Sequence, residues 1–242
     1  ITFTNPMALP VTITYNINGG GNTTIDVGGS SSTTVSAPTG VPGTYNYNLV
    51  DVFYQSTPTC SNGLLGTATV TVRPTPTATV GGTTTVCQGD PSPDITFTNP
   101  NALPIRVRYR INGGSSNSIN VPGGSSVDVP APTGTAGTFV YTFRDIRYQD
   151  DSPGCQLTPP GSATITVRPT PTASISGTTS VCEGDPSPDI TFTNPMSDPV
   201  TVTYNINGGA DQTVNVGGSS TTNVAVPTGT DGTCTYSLVN VF

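Results

Sequence analysis

The chain has 242 residues and a formal charge of -7, from 7 Arg or Lys against 14 Asp or Glu, with no His and no Trp. It also has no Lys and a single Glu, Glu183, so a Ser-His-Asp triad, a Cys-His nucleophile, a His-ligated zinc and a Schiff base are excluded within it. An acidic chain of this kind is a poor partner for nucleic acid, whose phosphates are held by clustered cations, and no apolar run approaches the roughly 18 residues that cross a bilayer.

In chain order, Ile1 to Pro6 reads ITFTNP, and Val11 to Ile17 reads VTITYNI. The second segment puts Val11, Ile13, Tyr15 and Ile17 on one face and Thr12, Thr14 and Asn16 on the other, the period of a half-buried strand. Asn22-Thr23-Thr24 matches an N-glycosylation acceptor. VRPTPTA at Val72 to Ala78 alternates Pro, which forbids a helix and favours an extended, stiff connection. CQGDPSPDITFTNP then runs from Cys87 to Pro100.

Strands are predicted over Ile95 to Thr98, Ile105 to Ile111 (IRVRYRI), Ser118 to Val121, Ser126 to Val129, Thr138 to Arg147 and Ala163 to Val167. In the long one, Phe139, Tyr141 and Phe143 share a parity that passes to Ile146 and Tyr148, which predicts a bulge near Arg144 and Asp145. Between them lie turn residues, NGG at Asn112, PGG at Pro122 and PTG at Pro132. VRPTPTA returns at Val167 to Ala173, CEGDPSPDITFTNP at Cys182 to Pro195 and VTVTYNI at Val200 to Ile206. No segment has a helical period.

Ile1, Ile95 and Ile190 begin matching segments, so the sequence repeats every 94 to 95 residues. That is the size of a small independent domain rather than a solenoid unit. The parse is 1–73, 74–168 and 169–242, the first repeat expected to lack its start and the third, whose Phe242 matches Phe53, its final strand. About seven short strands per repeat, punctuated by Gly and Pro, predict an all-β chain of tandem immunoglobulin-like antiparallel β-sandwich domains arranged end to end.

Cys87 follows the first strand of the complete repeat and Cys155 its long aromatic strand, so these two are the natural pair. Cys60 and Cys182 are then expected to pair outside the chain. A disulfide in each domain implies an oxidising compartment and hence export, and closing so long a loop contributes roughly 4 kcal/mol in the chain-entropy picture. Cys234 takes the place of Tyr45 and Phe139, and is expected to be a buried free thiol or else an interchain link.

Asp90 and Asp94, repeated as Asp185 and Asp189, offer hard oxygens for Ca²⁺ near the domain joint. They serve equally as turn caps, since Asp before Pro starts turns. Arg106, Arg108 and Arg110 share one strand face, with Arg144 and Arg147 on another strand, where the first repeat has Thr12, Thr14 and Asn16. One reading is a cross-strand ion-pair network using Asp145, Asp150 and Asp151; the other is a contact surface for a neighbouring chain or an anionic glycan.

The segments TTTVCQGDPSPDITFTNP, YNINGG, PTGTAGT and TATVTVRPTPTA together resemble the tandem repeats of giant surface proteins of Bacteroidota, found in gliding-motility adhesins of the SprB type and other type IX secreted fibres. The resemblance covers the whole chain. It implies export, cell-surface display and a role in adhesion or filament building, and it carries over no catalytic residue. The expectation is a non-enzymatic extracellular fibre without a cofactor, Ca²⁺ apart. Its partners would be neighbouring repeats, identical chains in a multi-stranded fibre, and surface glycans or target cells. The alternative is a carbohydrate-binding repeat, whose signature would be exposed aromatic platforms.

Overall fold

A computed structural model describes residues 1–149 and 154–242. Its regular structure is all β; the described residues contain no helix, and hence none long and apolar enough to cross a membrane. By internal contacts the chain divides into two compact units, Ile1–Thr83 with Asp94–Pro130 and Phe139–Thr164, and Thr84–Pro93 with Ala131–Thr138 and Ile165–Phe242.

The first unit opens with β1 (Thr2–Asn5), β2 (Val11–Ile17), β3 (Asn22–Val27), β4 (Ser31–Thr34), β5 (Gly43–Tyr54), β6 (Ser61–Gly63) and β7 (Thr67–Val72). β1 and β4 pair as one layer; β3, β2, β5 and β6 form the other in that order, and β7 lies along the Gly43 to Asn48 half of β5. The alternation read from VTITYNI is what joins the layers. Val11, Ile13 and Tyr15 point inward and are buried with Phe3, Val27 and Tyr47, while the Thr side chains between them stay on the outer face.

The pattern continues with β8 (Thr79–Gly81), β9 (Thr84–Cys87), β10 (Asp94–Asn99), β11 (Ile105–Ile111), β12 (Ser116–Val121), β13 (Ser125–Pro130), β14 (Gly137–Tyr148), β15 (Gln156–Leu157) and β16 (Ser162–Arg168). β13, β10 and β8 make one antiparallel layer, and β11 pairs with both β12 and β14. In the second unit β9 runs parallel to β16. An opening strand divided between two sheets in this way is an immunoglobulin-like feature.

The second unit adds β17 (Ser174–Ser176), β18 (Asp189–Asn194), β19 (Val200–Ile206), β20 (Gln212–Val216), β21 (Ser220–Ala225) and β22 (Tyr236–Val241), as two sheets in the orders β17-β18-β21 and β20-β19-β22.

Each repeat rests on the same stack of rings. Phe3 lies 4.8 Å from Tyr15, which stacks on Tyr47 at 6.1 Å. Phe97, Tyr109 and Tyr141 repeat the arrangement at 4.9 and 6.0 Å, and Phe192, Tyr204 and Tyr236 at 4.8 and 5.9 Å. Burying one such side chain contributes about 2 to 3 kcal/mol. The predicted bulge is present: Arg108 faces Asp145 while Tyr109 faces Phe143, leaving Arg144 as the extra residue.

A buried asparagine fastens the two layers. Asn99, 0% exposed, holds its Nδ2 within 2.9 to 3.1 Å of the Leu103, Val121 and Pro122 carbonyls, and its Oδ1 accepts the Asn101 N–H at 2.9 Å. Asn5 and Asn194 do the same in the other repeats. This is why the Asn of ITFTNP appears in all three copies: it satisfies carbonyls that the turns leave unpaired.

Candidate interaction surface

Strand β11 carries three arginines because alternation sends every second side chain to the outer face. The structure splits them by role. Arg108 is a structural partner: its Nε donates to Asp145 Oδ1 at 2.7 Å and its second nitrogen reaches Oδ2 at 2.7 Å, a two-point fork. Asp145 is only 3% exposed, and Arg144 Nε stands 3.7 Å from it. The bulge therefore turns a carboxylate inward beneath two guanidinium groups.

Arg106 stands directly opposite Arg147 in the ladder. Arg106 Nε is buried with no hydrogen-bond partner among the described residues. Arg110, opposite Thr142, is exposed. Asp150 and Asp151, read as further counter-charges, lie outside the described residues. The ion-pair reading thus accounts for Arg108 and Arg144. Arg110, exposed, and Arg106, half-buried, share the outer face of β11 in an otherwise acidic chain, and guanidinium groups there are suited to carboxylates.

The repeated Asp residues sit in turns. Asp90 Oδ2 accepts the Cys87 N–H at 2.8 Å, and the Asp90 carbonyl accepts the Thr133 hydroxyl at 2.6 Å. Asp185 repeats both contacts with Cys182 and Thr228, at 2.8 and 2.7 Å. Each carboxylate closes its own loop, and the same residue's backbone carbonyl ties that loop to the PTG segment. Asp189 accepts the Asn223 amide at 3.0 Å, and Asp94 begins β10 with its side chain exposed. No group of three or more His, Cys, Asp or Glu able to hold a metal ion occurs among the described residues.

All five cysteines are free thiols in the structure, so the expected bond between Cys87 and Cys155 is not formed in it. Cys87 is exposed at the end of β9, in the turn that Asp90 closes, and Cys155 is half-buried before β15. Cys60 and Cys182 are exposed. Cys234 departs from the expected burial: it is an exposed free thiol. The reason is local. β5 begins at Gly43 because β7 pairs with its first half, whereas β22 begins only at Tyr236 and carries β19 on one side alone, so Cys234 falls in a loop.

Tyr15, Tyr47, Tyr109, Tyr141 and Tyr204 are buried in the cores, whereas Phe242 is 63% exposed. A groove of 430 Å³ in the first repeat, lined by Asn5, Val11, Ile13, Val52, Tyr54 and Cys60 among others, opens beside β1. The matching strand β10 carries β8 along its edge.

Sequence reasoning overlooked the Asn5, Asn99 and Asn194 clamps and the linker contact. The Asn101 side-chain amide donates to the Thr77 carbonyl at 2.6 Å and its Oδ1 accepts the Thr77 N–H at 3.2 Å. The recurrence of Asn in each ITFTNP was the available signal for the clamps; Asn101, replaced by Met7 and Met196 in the other copies, gave none.

No protein family and no curated protein matches the chain. Among solved structures, a Ca²⁺-stabilized adhesin with which an Antarctic bacterium binds ice is similar at 18% identity, over 98% of this chain and 66% of that one, with a TM-score of 0.37. A tetra-tandem repeat from the extending region of a large adhesion protein is similar at 14% identity, over 98% and 68%, with a TM-score of 0.27. The calcium-binding domain CBD12 of CALX1.1 is similar at 11% identity, over 62% and 74%, with a TM-score of 0.29. The chain thus spans 66% of the length of the first. These likenesses are too loose to assign a function.

Proposed function

We propose that this chain is a length of a non-enzymatic extracellular fibre, made of immunoglobulin-like domains at 1–73, 74–168 and 169–242, that serves as an adhesin stalk or filament at a bacterial surface. The observation that carries this reading is the threefold reuse of one ring stack and one asparagine clamp. Each repeat builds its own core, so copying it lengthens the chain without a new packing problem. The motif resemblance supports placing the fibre among type IX secreted surface proteins of Bacteroidota, attached to the outer membrane.

On this reading Arg106 and Arg110 form a contact face for an acidic surface of a neighbouring chain, Asp90 and Asp185 act as turn caps rather than calcium ligands, and export oxidises Cys87 and Cys155 to a disulfide. The test is electron cryo-imaging of fibres sheared from producing cells without reductant, with peptide mapping of the same material. An unbranched thread with an axial period of one repeat and a Cys87–Cys155 linked peptide is expected. Globular, non-fibrous material would overturn the reading.

A further inference from the structure

Four Asn-Gly dipeptides occur in the chain, at Asn18, Asn62, Asn112 and Asn207. Asn-Gly is the peptide step most open to succinimide formation, because Gly offers no side chain to hinder attack by its nitrogen. Three of the four occupy the same place, the turn of the β2–β3, β11–β12 and β19–β20 hairpins. There the φ angles of Asn and Gly are 53° and 72°, 49° and 71°, and 52° and 70°. The turn closes by a bond from the Gly20, Gly114 or Gly209 N–H to the Ile17, Ile111 or Ile206 carbonyl, at 3.0, 2.9 and 2.9 Å. This is a β-turn with positive φ at both central residues.

In each copy the Asn side chain is fixed to the segment alongside. Asn18 Oδ1 accepts the Asn46 N–H at 2.8 Å and its Nδ2 donates to the Thr44 carbonyl at 3.0 Å. Asn207 Oδ1 accepts the Thr235 N–H at 2.7 Å and its Nδ2 donates to the Thr233 carbonyl at 2.9 Å. Asn112 Oδ1 accepts the Val140 N–H at 2.7 Å. In the first repeat the attacking nitrogen is held as well, since the Gly19 N–H donates to Asn16 Oδ1 at 3.0 Å. Asn62 differs: it lies in the short, fully exposed strand β6.

We infer that Asn18, Asn112 and Asn207 are latent deamidation sites, silent while the hairpin is folded and reactive once it opens. In the open chain the following glycine nitrogen attacks the Asn Cγ. A C–N bond forms, the Cγ–Nδ2 bond breaks, and the amide nitrogen leaves as ammonia with the proton given up by the glycine. Water then opens the succinimide to aspartate or isoaspartate. Either product lacks the Nδ2 donor and, at Asn18 and Asn207, places a carboxylate against the Thr44 or Thr233 carbonyl that the donor served, and isoaspartate also inserts a methylene into the turn. The reaction therefore converts a reversible opening into a lasting one, repeat by repeat.

The full chain is incubated at mildly alkaline pH with and without guanidinium, and the four sites are followed by peptide mapping with isoaspartate detection. Without denaturant Asn62 is expected to convert first and the three turn asparagines to persist. With denaturant all four convert at comparable rates, the turn sites accelerated on the order of a hundredfold, as expected when reaction requires local opening. Equal rates at the turn sites with and without denaturant, or conversion of those sites ahead of Asn62 in the native protein, would overturn the assignment.

Discussion

Asn99 shows what a single polar side chain can hold. Its amide meets three carbonyls from segments up to 23 residues away, so Asn99→Ala leaves buried acceptors unpaired and is expected to cost about 2 to 3 kcal/mol. Denaturant unfolding checks this: the midpoint falls while the slope is unchanged. The ITFTNP repetition made the residue visible as recurrent, but its burial was not legible, because the partners it satisfies are brought to it only by folding.

The tyrosines of the middle core make a second residue-scale prediction. Burial pushes the Tyr141 hydroxyl above its ordinary 10.0, with the neighbouring Tyr109 adding to the shift, and burial raises Tyr109 too. Tyr141 Oη is buried without a hydrogen-bond partner among the described residues. A group that holds its proton more tightly in the folded state contributes stability that is complete below the unfolded value and is lost as pH rises through the folded one. Stability is therefore expected to hold up to about pH 10 and fall beyond it. Tyrosinate absorbance should appear for Tyr141 together with loss of β-sheet signal; ionisation with the fold intact would contradict this.

At the scale of elements, the period-two segments were readable to the residue: Val11 to Ile17, Ile105 to Ile111 and Val200 to Ile206 are β2, β11 and β19. The bulge was readable because two parities in one strand demand an extra residue between them. Strands β6 and β15, two or three exposed residues each, were not, since so short a stretch has no alternation to display.

Turn packing belongs to this scale as well. A methyl group on Gly123 would overlap the Ala102 carbonyl, whereas one on Gly134 meets nothing within 4 Å. Gly123→Ala is expected to destabilise by about 2 kcal/mol and Gly134→Ala by less than about 0.5 kcal/mol. Thermal unfolding of the two variants side by side would show the difference; equal effects would contradict the geometry.

Across the whole molecule, charge is unevenly shared. Six of the seven Arg fall in residues 74–168, while 169–242 has no Arg and six acidic residues. If Arg106 and Arg110 meet acidic surface on another copy, association should weaken as salt screens it. Replacing both by Thr should abolish that salt dependence in sedimentation or light scattering. Arg108 is kept in this variant, because removing it would strand the buried Asp145 carboxylate. Unchanged association would return the strip to the role of a solvated face.

The sequence by itself determined the repeat, the all-β class, the long strands and their inward faces, because these follow from local alternation and from copying. Only the tertiary structure decided which polar residues are buried and what they hold. Asn99 and Asp145 are polar residues made interior because distant carbonyls and guanidinium groups converge on them. The same holds for Cys234, whose exposure depends on whether a neighbouring strand pairs beside it. A residue's environment is fixed by pairing across the sheet, and pairing is a property of the fold.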